Sequence, residues 1–238
     1  MALHIETPLL ASNAFDARPG ARIWLKMEAL QPSGSFKLRG IGHACETYAA
    51  RGARRIVASS GGNAGLAAAY AARRLGLPCL VVVPETTSAR ARALLAREAA
   101  QVCVHGLSFQ EANAHAQSLL GPQDAFIHPF DDPLLWEGHA SMIDEVARAG
   151  LRPDCVVLSV GGGGLLRVWW QGQGARGGVM CRCWRSRQPA RIRMRSRWRR
   201  ASGSNCRRSP ASRPRSGRER CRNMPSTWHA RIRFIRSW

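Results

Sequence analysis

The first 166 residues predict an α/β fold: open, twisted parallel sheets with flanking helices, arranged in two domains. Two observations carry this expectation. Apolar runs of strand length alternate with helical stretches, as in repeated βαβ units. Two glycine-rich segments, SSGGNAG (Ser59–Gly65) and SVGGGGLL (Ser159–Leu166), directly follow strand runs, and open parallel sheets bind ligands at the carboxyl ends of their strands.

Taken in order, Arg22–Met27 (RIWLKM) reads as a short strand with Ile23 and Leu25 on one face and Trp24 on the other. Leu38–Ala50 reads as a helix, and Arg54–Ala58 as a brief strand ending at the Ser-Gly run. Ala64–Leu75 is an alanine-rich helix. Pro78–Pro84 (PCLVVVP) is continuously apolar, as expected of a parallel strand covered on both faces. Helices over Ser88–Ala99, Phe109–Leu119 and Trp136–Ala149 are separated by strands at Gln101–His105 and Ala125–His128. Cys155–Val160 (CVVLSV) is expected to be another buried strand, leading into Gly161–Gly164.

Three loops hold the residues with chemical potential. In QPSGSFKLRG (Gln31–Gly40), Lys37 stands where an apolar helix begins, between Phe36 and Leu38. An isolated lysine at a helix start is ordinarily a surface residue. Yet the chain has only two lysines against 34 arginines, so arginine is its default cation. Lysine, unlike arginine, loses its proton when desolvated and attacks carbonyls. In SSGGNAG the glycines let backbone N–H groups converge on an anion at a helix start, with Ser60 and Asn63 adding donors. The alternative is an ordinary N-capped turn. In SVGGGGLL four consecutive glycines after a β-branched strand suit a phosphate nest better than a flexible linker. No Lys-Ser/Thr pair follows, so it is not a Walker loop.

These segments resemble one family: the pyridoxal-phosphate enzymes of the tryptophan-synthase-β type, and within them the L-serine/L-threonine dehydratases. The resemblance covers residues 3–166 and rests on HIETPLL, PSGSFKLRG, SSGGNAG, PFDDPLLWEGH (Pro129–His139) and SVGGGGLL. It implies pyridoxal 5'-phosphate as cofactor, Lys37 as the Schiff-base lysine and catalytic base at Cα, and Phe36 beside the cofactor ring. It implies that Ser60, Gly61, Asn63 and Ala64 receive the substrate carboxylate, with Asn63 also reaching the ring hydroxyl. Gly161, Gly162, Gly163 and Gly164 would hold the cofactor phosphate. The implied reaction converts L-serine to pyruvate and ammonia, with L-threonine as the alternative substrate, in a cytoplasmic homodimer. On this reading residues 36–130 form the smaller domain, and 1–35 with 131–166 the remnant of an incomplete larger one. The family's residue at the pyridine nitrogen and its monovalent-cation loop are expected to be missing, leaving the chain poorly stable and nearly inactive.

Beyond Leu166 the composition changes. Residues 1–166 hold 15 Lys+Arg and 14 Asp+Glu, whereas residues 167–238 hold 21 arginines, no lysine and one acid, Glu219. The tail shows no period of 2 or 3.6 and no buried face, and is expected to be disordered. Its codons point to a shifted reading frame. Joining the third base of each codon to the next two forces valine at Met180–Cys181 and leucine at Cys183–Trp184 and Asn205–Cys206. In that phase Gly177–Arg193 can be read as WGDVPVLAVETAGADS, which resembles dehydratase sequence after the tetraglycine.

Other functions fare worse. Arginines among Trp169, Trp170, Trp184, Trp198 and Trp228 could contact single-stranded nucleic acid, but the shifted frame explains both composition and junction without a selected nucleic-acid role. Cys181, Cys183, Cys206, Cys221 and His229 lack zinc spacing, and no metal site is expected. Cys45, Cys79, Cys103 and Cys155 read as small buried hydrophobes. His4, His43, His105, His115, His128 and His139 are assigned structural or surface roles, and Asp131, Asp132 and Glu137 are expected to cap or brace the loop before the Trp136 helix. MALHIETPLL lacks a secretory pattern, and no run is long enough to span a membrane.

Overall fold

The computed structural model describes residues 2–13, 22–174 and 184–185, with side chains described up to Trp169. Its centre is a four-stranded parallel sheet of β3 (Arg55–Ala58), β4 (Cys79–Val83), β5 (Gln101–Val104) and β6 (Asp124–Ile127), in the order β5-β4-β3-β6. Alternate side chains face opposite sides of a strand, and both faces here are covered. Ile56, Ala58, Val81, Val83 and Ile127 pack beneath α1 (Lys37–Ala50) and α2 (Asn63–Arg74). Val57, Leu80 and Val82 meet Ala112 and Ala116 of α4 (Phe109–Ser118). The all-apolar β4, buried along its whole length, is the central strand that PCLVVVP predicts.

The small residues of α2 explain how closely it sits on the sheet: Ala64, Ala67, Ala68, Ala69, Ala71 and Ala72 are all buried. Helix starts follow the side-chain chemistry. Ser88 accepts from the Ala91 N–H at the start of α3 (Ala89–Arg97), and Ser108 accepts from Glu111 at the start of α4. Asp132 accepts from Leu134, with Pro133 in the first helical position of α5 (Pro133–Arg148). Helix α5 thus begins three residues before the predicted Trp136. It crosses α1 through two glycines. A Cβ on Gly40 would stand 2.5 Å from the Leu135 carbonyl, and one on Gly138 would overlap the Arg39 carbonyl and the Gly40 Cα.

Three expectations need correction. First, an unpredicted strand β1 (Leu9–Ser12) pairs antiparallel with β2 (Ile23–Lys26), so the N-terminal pair is not part of the parallel sheet. Second, Cys155–Val160 is not a buried strand. Only Ser159–Val160 (β7) is extended in a ladder, paired with β8 (Trp184–Arg185), while Val157 is 78% exposed and Cys155 is exposed. Apolar β-branched sequence becomes a strand only where neighbours complete the ladder and cover its faces. For the same reason the cysteines divide: Cys45 and Cys79 are buried, Cys103 half-buried and Cys155 exposed. Third, the segment after Leu166 does have a buried face at its start. Helix α6 (Gly164–Gly174) runs through the compositional seam, and its Val168 and Trp169 are buried, Trp169 against Met142 and Val146 of α5. The remaining tail expectations, including the cysteine and tryptophan readings beyond residue 174, lie outside the described residues.

Candidate active site

The chain lays β3, β4 and β5 in one direction and then returns to place β6 on the other side of β3. Connections leaving β3 and β6 therefore diverge from adjacent strand ends, where Ala58 is paired with Ile127. Such a switch point is the natural crevice of an open parallel sheet. The connection after β3 is Ser59–Gly62, leading into α2, and that after β6 is His128–Asp132, leading into α5.

Lys37 is the first residue of α1, and its Nζ donates to the carbonyl oxygen of Pro129 in the second connection. Burial pushes its pKa down to about 8. Nζ lies 5.4 Å from the centroid of the Phe36 ring. A desolvated amine held by a neutral carbonyl can shed its proton near neutrality and act as nucleophile or base.

The first connection is built around backbone donors. Ser59 is buried and donates to Asn113 Oδ1 at 2.6 Å, while Ser60 Oγ accepts from the Gly62 N–H. Helix α2 begins at Asn63, and no side chain caps it. The ordinary capped turn is thus absent here, although α3, α4 and α5 all have one. Uncapped first-turn N–H groups and the positive end of the helix dipole favour an anion. Gly61 abuts Thr87, where a Cβ would stand 2.6 Å from Cγ2, and a Cβ on Gly65 would overlap the Ser60 carbonyl. Ala64 is buried and Asn63 exposed at the mouth.

Gly161–Gly164 joins β7 to α6. Gly163 has φ +89°, a left-handed conformation that L side chains rarely adopt. A Cβ on Gly162 would overlap the Phe130 ring, and one on Gly164 would stand 2.8 Å from the Phe130 carbonyl. The glycines therefore rest on the residue next to the acceptor of Lys37. That segment is itself fixed: Trp136 Nε1 donates to the Phe130 carbonyl at 3.1 Å, and the Arg167 guanidinium lies 3.7 Å from the Trp136 ring centroid.

Among the described residues, the buried side-chain polar atoms without a partner are Ser33 Oγ, Ser35 Oγ and both ring nitrogens of His139. All belong to this neighbourhood. Ser33 and Ser35 precede Lys37 in its loop, and the His139 ring centroid is 5.1 Å from that of Phe36. Burial, then the charges of Lys37 and Arg39, push His139 down to about 3. Unsatisfied buried groups are rare in folded proteins, and each calls for a partner such as a bound group or an ordered water. A desolvated amine, orphaned polar atoms and two glycine segments fit an aldehyde-bearing aromatic phosphate. Phe36, Lys37 and Gly161–Gly164 are thus linked through Pro129–Phe130, and Ser60–Ala64 stands at the neighbouring strand end.

Sequence reasoning missed Pro129 and Phe130 as site residues, and gave His139 only a structural role. Their signal is spatial: a carbonyl acceptor and an aromatic floor have no residue-type signature. Among the described residues no group of three or more His, Cys, Asp or Glu could hold a metal ion, and no helix is long and apolar enough to cross a membrane.

Comparison with known proteins agrees with this geometry. Residues 2–209 match the family described as "Pyridoxal-phosphate dependent enzyme". That match runs past the seam at Leu166, whereas curated relatives match a shorter portion. A mouse "L-serine dehydratase/L-threonine deaminase" is 51% identical over 168 residues, covering 69% of this chain and 51% of its own length. A human protein named "Serine dehydratase-like" is 52% identical over 167 residues, covering 68% and 50%. The crystal structure of a fungal L-serine ammonia-lyase from Rhizomucor miehei superposes with a TM-score of 0.68 at 32% identity, covering 74% of this chain and 57% of that one. The chain spans about half the length of the curated relatives it matches. With its lysine, its glycine segments and its parallel sheet, the chain belongs to the pyridoxal-phosphate-dependent enzyme family.

Proposed function

We propose that this chain carries the lysine-bearing half of an L-serine ammonia-lyase, with L-threonine as the alternative substrate. One observation supports the reading most: a desolvated Lys37 amine donates to the Pro129 carbonyl, the Gly161–Gly164 segment rests on the adjacent Phe130, and Ser59–Gly62 leaves the neighbouring strand end. The names of the mouse and human relatives agree with it.

On this reading Lys37 binds the cofactor aldehyde and Phe36 lines the ring. Gly161, Gly162, Gly163 and Gly164 hold the phosphate through backbone N–H groups. Ser60, Gly61, Asn63 and Ala64 receive the substrate carboxylate, and Asn63 also reaches the ring hydroxyl. Pyridoxal 5'-phosphate held there would supply an electron sink for the charge developing at Cα. The chain's own task is to present a neutral amine at Nζ, which takes the Cα proton, and to fix the carboxylate so that the Cα–H bond is aligned. The same reading makes the protein a cytoplasmic homodimer, with an amino acid as its small-molecule substrate and neither nucleic acid nor membrane as partner. Residues 36–130 form its smaller domain, and 1–35 with 131–166 belong to the larger. From about Arg167 onward the frame is shifted, so the written chain turns over serine poorly.

The test is to load the full chain with pyridoxal 5'-phosphate, reduce with borohydride and map the adduct. The adduct is expected on Lys37; one confined to Lys26 or the terminal amine refutes the reading. Resequencing across the Leu166 codon tests the frame. One further base there, followed by serine-dependent pyruvate formation in the corrected protein, is the expected result. An unchanged sequence refutes the shift.

A further inference from the structure

Two residues beyond Lys37, Arg39 enters a different environment. Its side chain is fully buried, and its guanidinium is gripped by two carboxylates. Nε and Nη2 donate to Glu28, each at 2.8 Å. Nη1 and Nη2 donate to Glu145 at 2.5 and 2.8 Å, and Nη1 also donates to Ser141 Oγ at 2.9 Å. Lys26 closes the cluster, donating from Nζ to Glu145 and to both oxygens of Thr7, with Glu28 3.7 Å away. Thr7 Oγ donates to Glu28 at 2.6 Å.

The cluster contains two cations and two anions, so its formal charge is zero. It draws Thr7, Lys26, Glu28, Ser141 and Glu145 from outside the sheet domain around a single residue of α1. Residues i and i+2 of a helix point to different sides, so Arg39 faces this cluster while Lys37 faces the Pro129 carbonyl. Buried ionic networks are seldom the most stable filling for a core, because apolar side chains of similar volume often do as well or better. Positional specificity is a better reason to retain one, and the position specified here is the first turn of α1.

We propose that Arg39 is a positioning residue for Lys37. Its paired bonds to Glu28 and Glu145 pin the start of α1, and the charge balance of the cluster spares the neighbouring amine any net negative field. The inference rests on Lys37 being the reactive amine, as proposed above. Its test reads that amine directly and does not depend on turnover.

With only two lysines in the chain, competitive acetylation followed by peptide mass spectrometry can follow Lys37 in the full, cofactor-free chain, with the terminal amine as internal reference, since Lys26 belongs to the cluster being changed. The variants are R39M, R39K, E28Q and the charge-paired R39M/E145M, each checked by circular dichroism and melting. By Coulomb's law at an effective dielectric of about 20, a single uncompensated charge within about 10 Å of an amine moves its titration by about one pH unit. R39M is therefore expected to raise the Lys37 midpoint by about one unit from about 8, and E28Q to lower it by a similar amount. R39M/E145M is expected to restore it, and R39K to fall between R39M and the parent. Should R39M fail to fold, E28Q decides the matter, since it keeps shape and removes one charge. An unmoved Lys37 midpoint in E28Q, or in a folded R39M, overturns the proposal. Failure of the adduct to form on Lys37 in the parent chain would instead overturn the functional reading.

Discussion

The chain's two lysines occupy opposite surroundings. Lys26 lies among Glu145, Glu28 and Thr7, in a cluster where every charge has a counter-charge. Lys37 has a backbone carbonyl for a partner, and burial lowers its pKa to about 8. The first environment surrounds the amine with carboxylates; the second holds it by a neutral carbonyl, where burial disfavours its charged form. The same side chain thus serves as a structural cation in one place and a latent nucleophile in the other. What separates the two tasks is the company of carboxylates.

The largest expected effects come from exchanging each lysine for methionine. K37M is expected to abolish borohydride-trappable cofactor capture while leaving the melting temperature unchanged or raised. The sign follows from linkage. The folded-state pKa lies below the unfolded one, so the penalty of the buried ammonium is present below about pH 8 and fades as pH rises toward 10.5. K26M is expected to do the reverse, keeping capture while losing about 3 kcal/mol, because Glu145 is only 5% exposed and loses a counter-charge. Urea denaturation at pH 7 measures both, and equal destabilisation by the two changes would break the comparison.

His139 sharpens it on the acid side. The folded pKa, about 3, is depressed below the ordinary imidazole value of 6.5, so protons bind the unfolded chain first and stability falls as pH drops from 6.5 toward 3. That slope is about 1.4 kcal/mol per pH unit. Glu28 and Glu145 also lose stability in acid: burial pushes their pKa values up, but hydrogen bonds, from Arg39 foremost, outweigh it and hold both below the usual carboxylate range. Their contribution is common to both proteins, so the difference between H139F and the parent isolates the imidazole. H139F is expected to gain about 2–3 kcal/mol relative to the parent between pH 7 and pH 4.5. Parallel stability curves would show that His139 is not held neutral. Next in size is G138A, whose new Cβ meets the α1 backbone, which cannot move aside cheaply. A loss of about 1–3 kcal/mol by thermal denaturation is expected.

How far these features could be read in advance depends on their range along the chain. The strands of the parallel sheet and its covering helices were legible because alternation, apolar runs and caps are local signals. Lys37 stood out through its rarity against arginine, and the glycine segments through their place at strand ends. The Arg39 cluster was not legible, since Glu145 lies 106 residues away and nothing near Arg39 foretells it. The one local hint is an arginine set between Leu38 and Gly40 in the first turn of α1. Cys155–Val160 misled for the converse reason: its apolar residues satisfy a strand pattern, but the neighbours that would bury them are a tertiary matter. Helix α6 has no such signal in the sequence, because the composition changes at Leu166 while the helix runs on through it. Its buried Val168 and Trp169 lie just beyond that point.

The smallest expected effect on stability tests the uncapped start of α2. Gly62 is its N-cap, at φ −107°, which any L residue adopts, and a Cβ there would find Ser60 Oγ at 3.9 Å, an ordinary contact. G62D should therefore fit without strain and place a carboxylate on the first-turn N–H groups. Capping and the helix dipole together are worth about 0.3–1 kcal/mol, a small rise in melting temperature. The same carboxylate would occupy the donors proposed for the substrate. G62D is thus expected to be slightly more stable and to lose measurable L-serine binding by calorimetry, with the Lys37 cofactor adduct retained. Natural caps show the opposite trade: S108A is expected to cost about 1 kcal/mol and to leave serine binding unchanged, because that helix start follows β5, away from the β3–β6 switch point. If G62D gains stability and still binds serine with unchanged affinity, the α2 start is simply an uncapped helix and the carboxylate lies elsewhere.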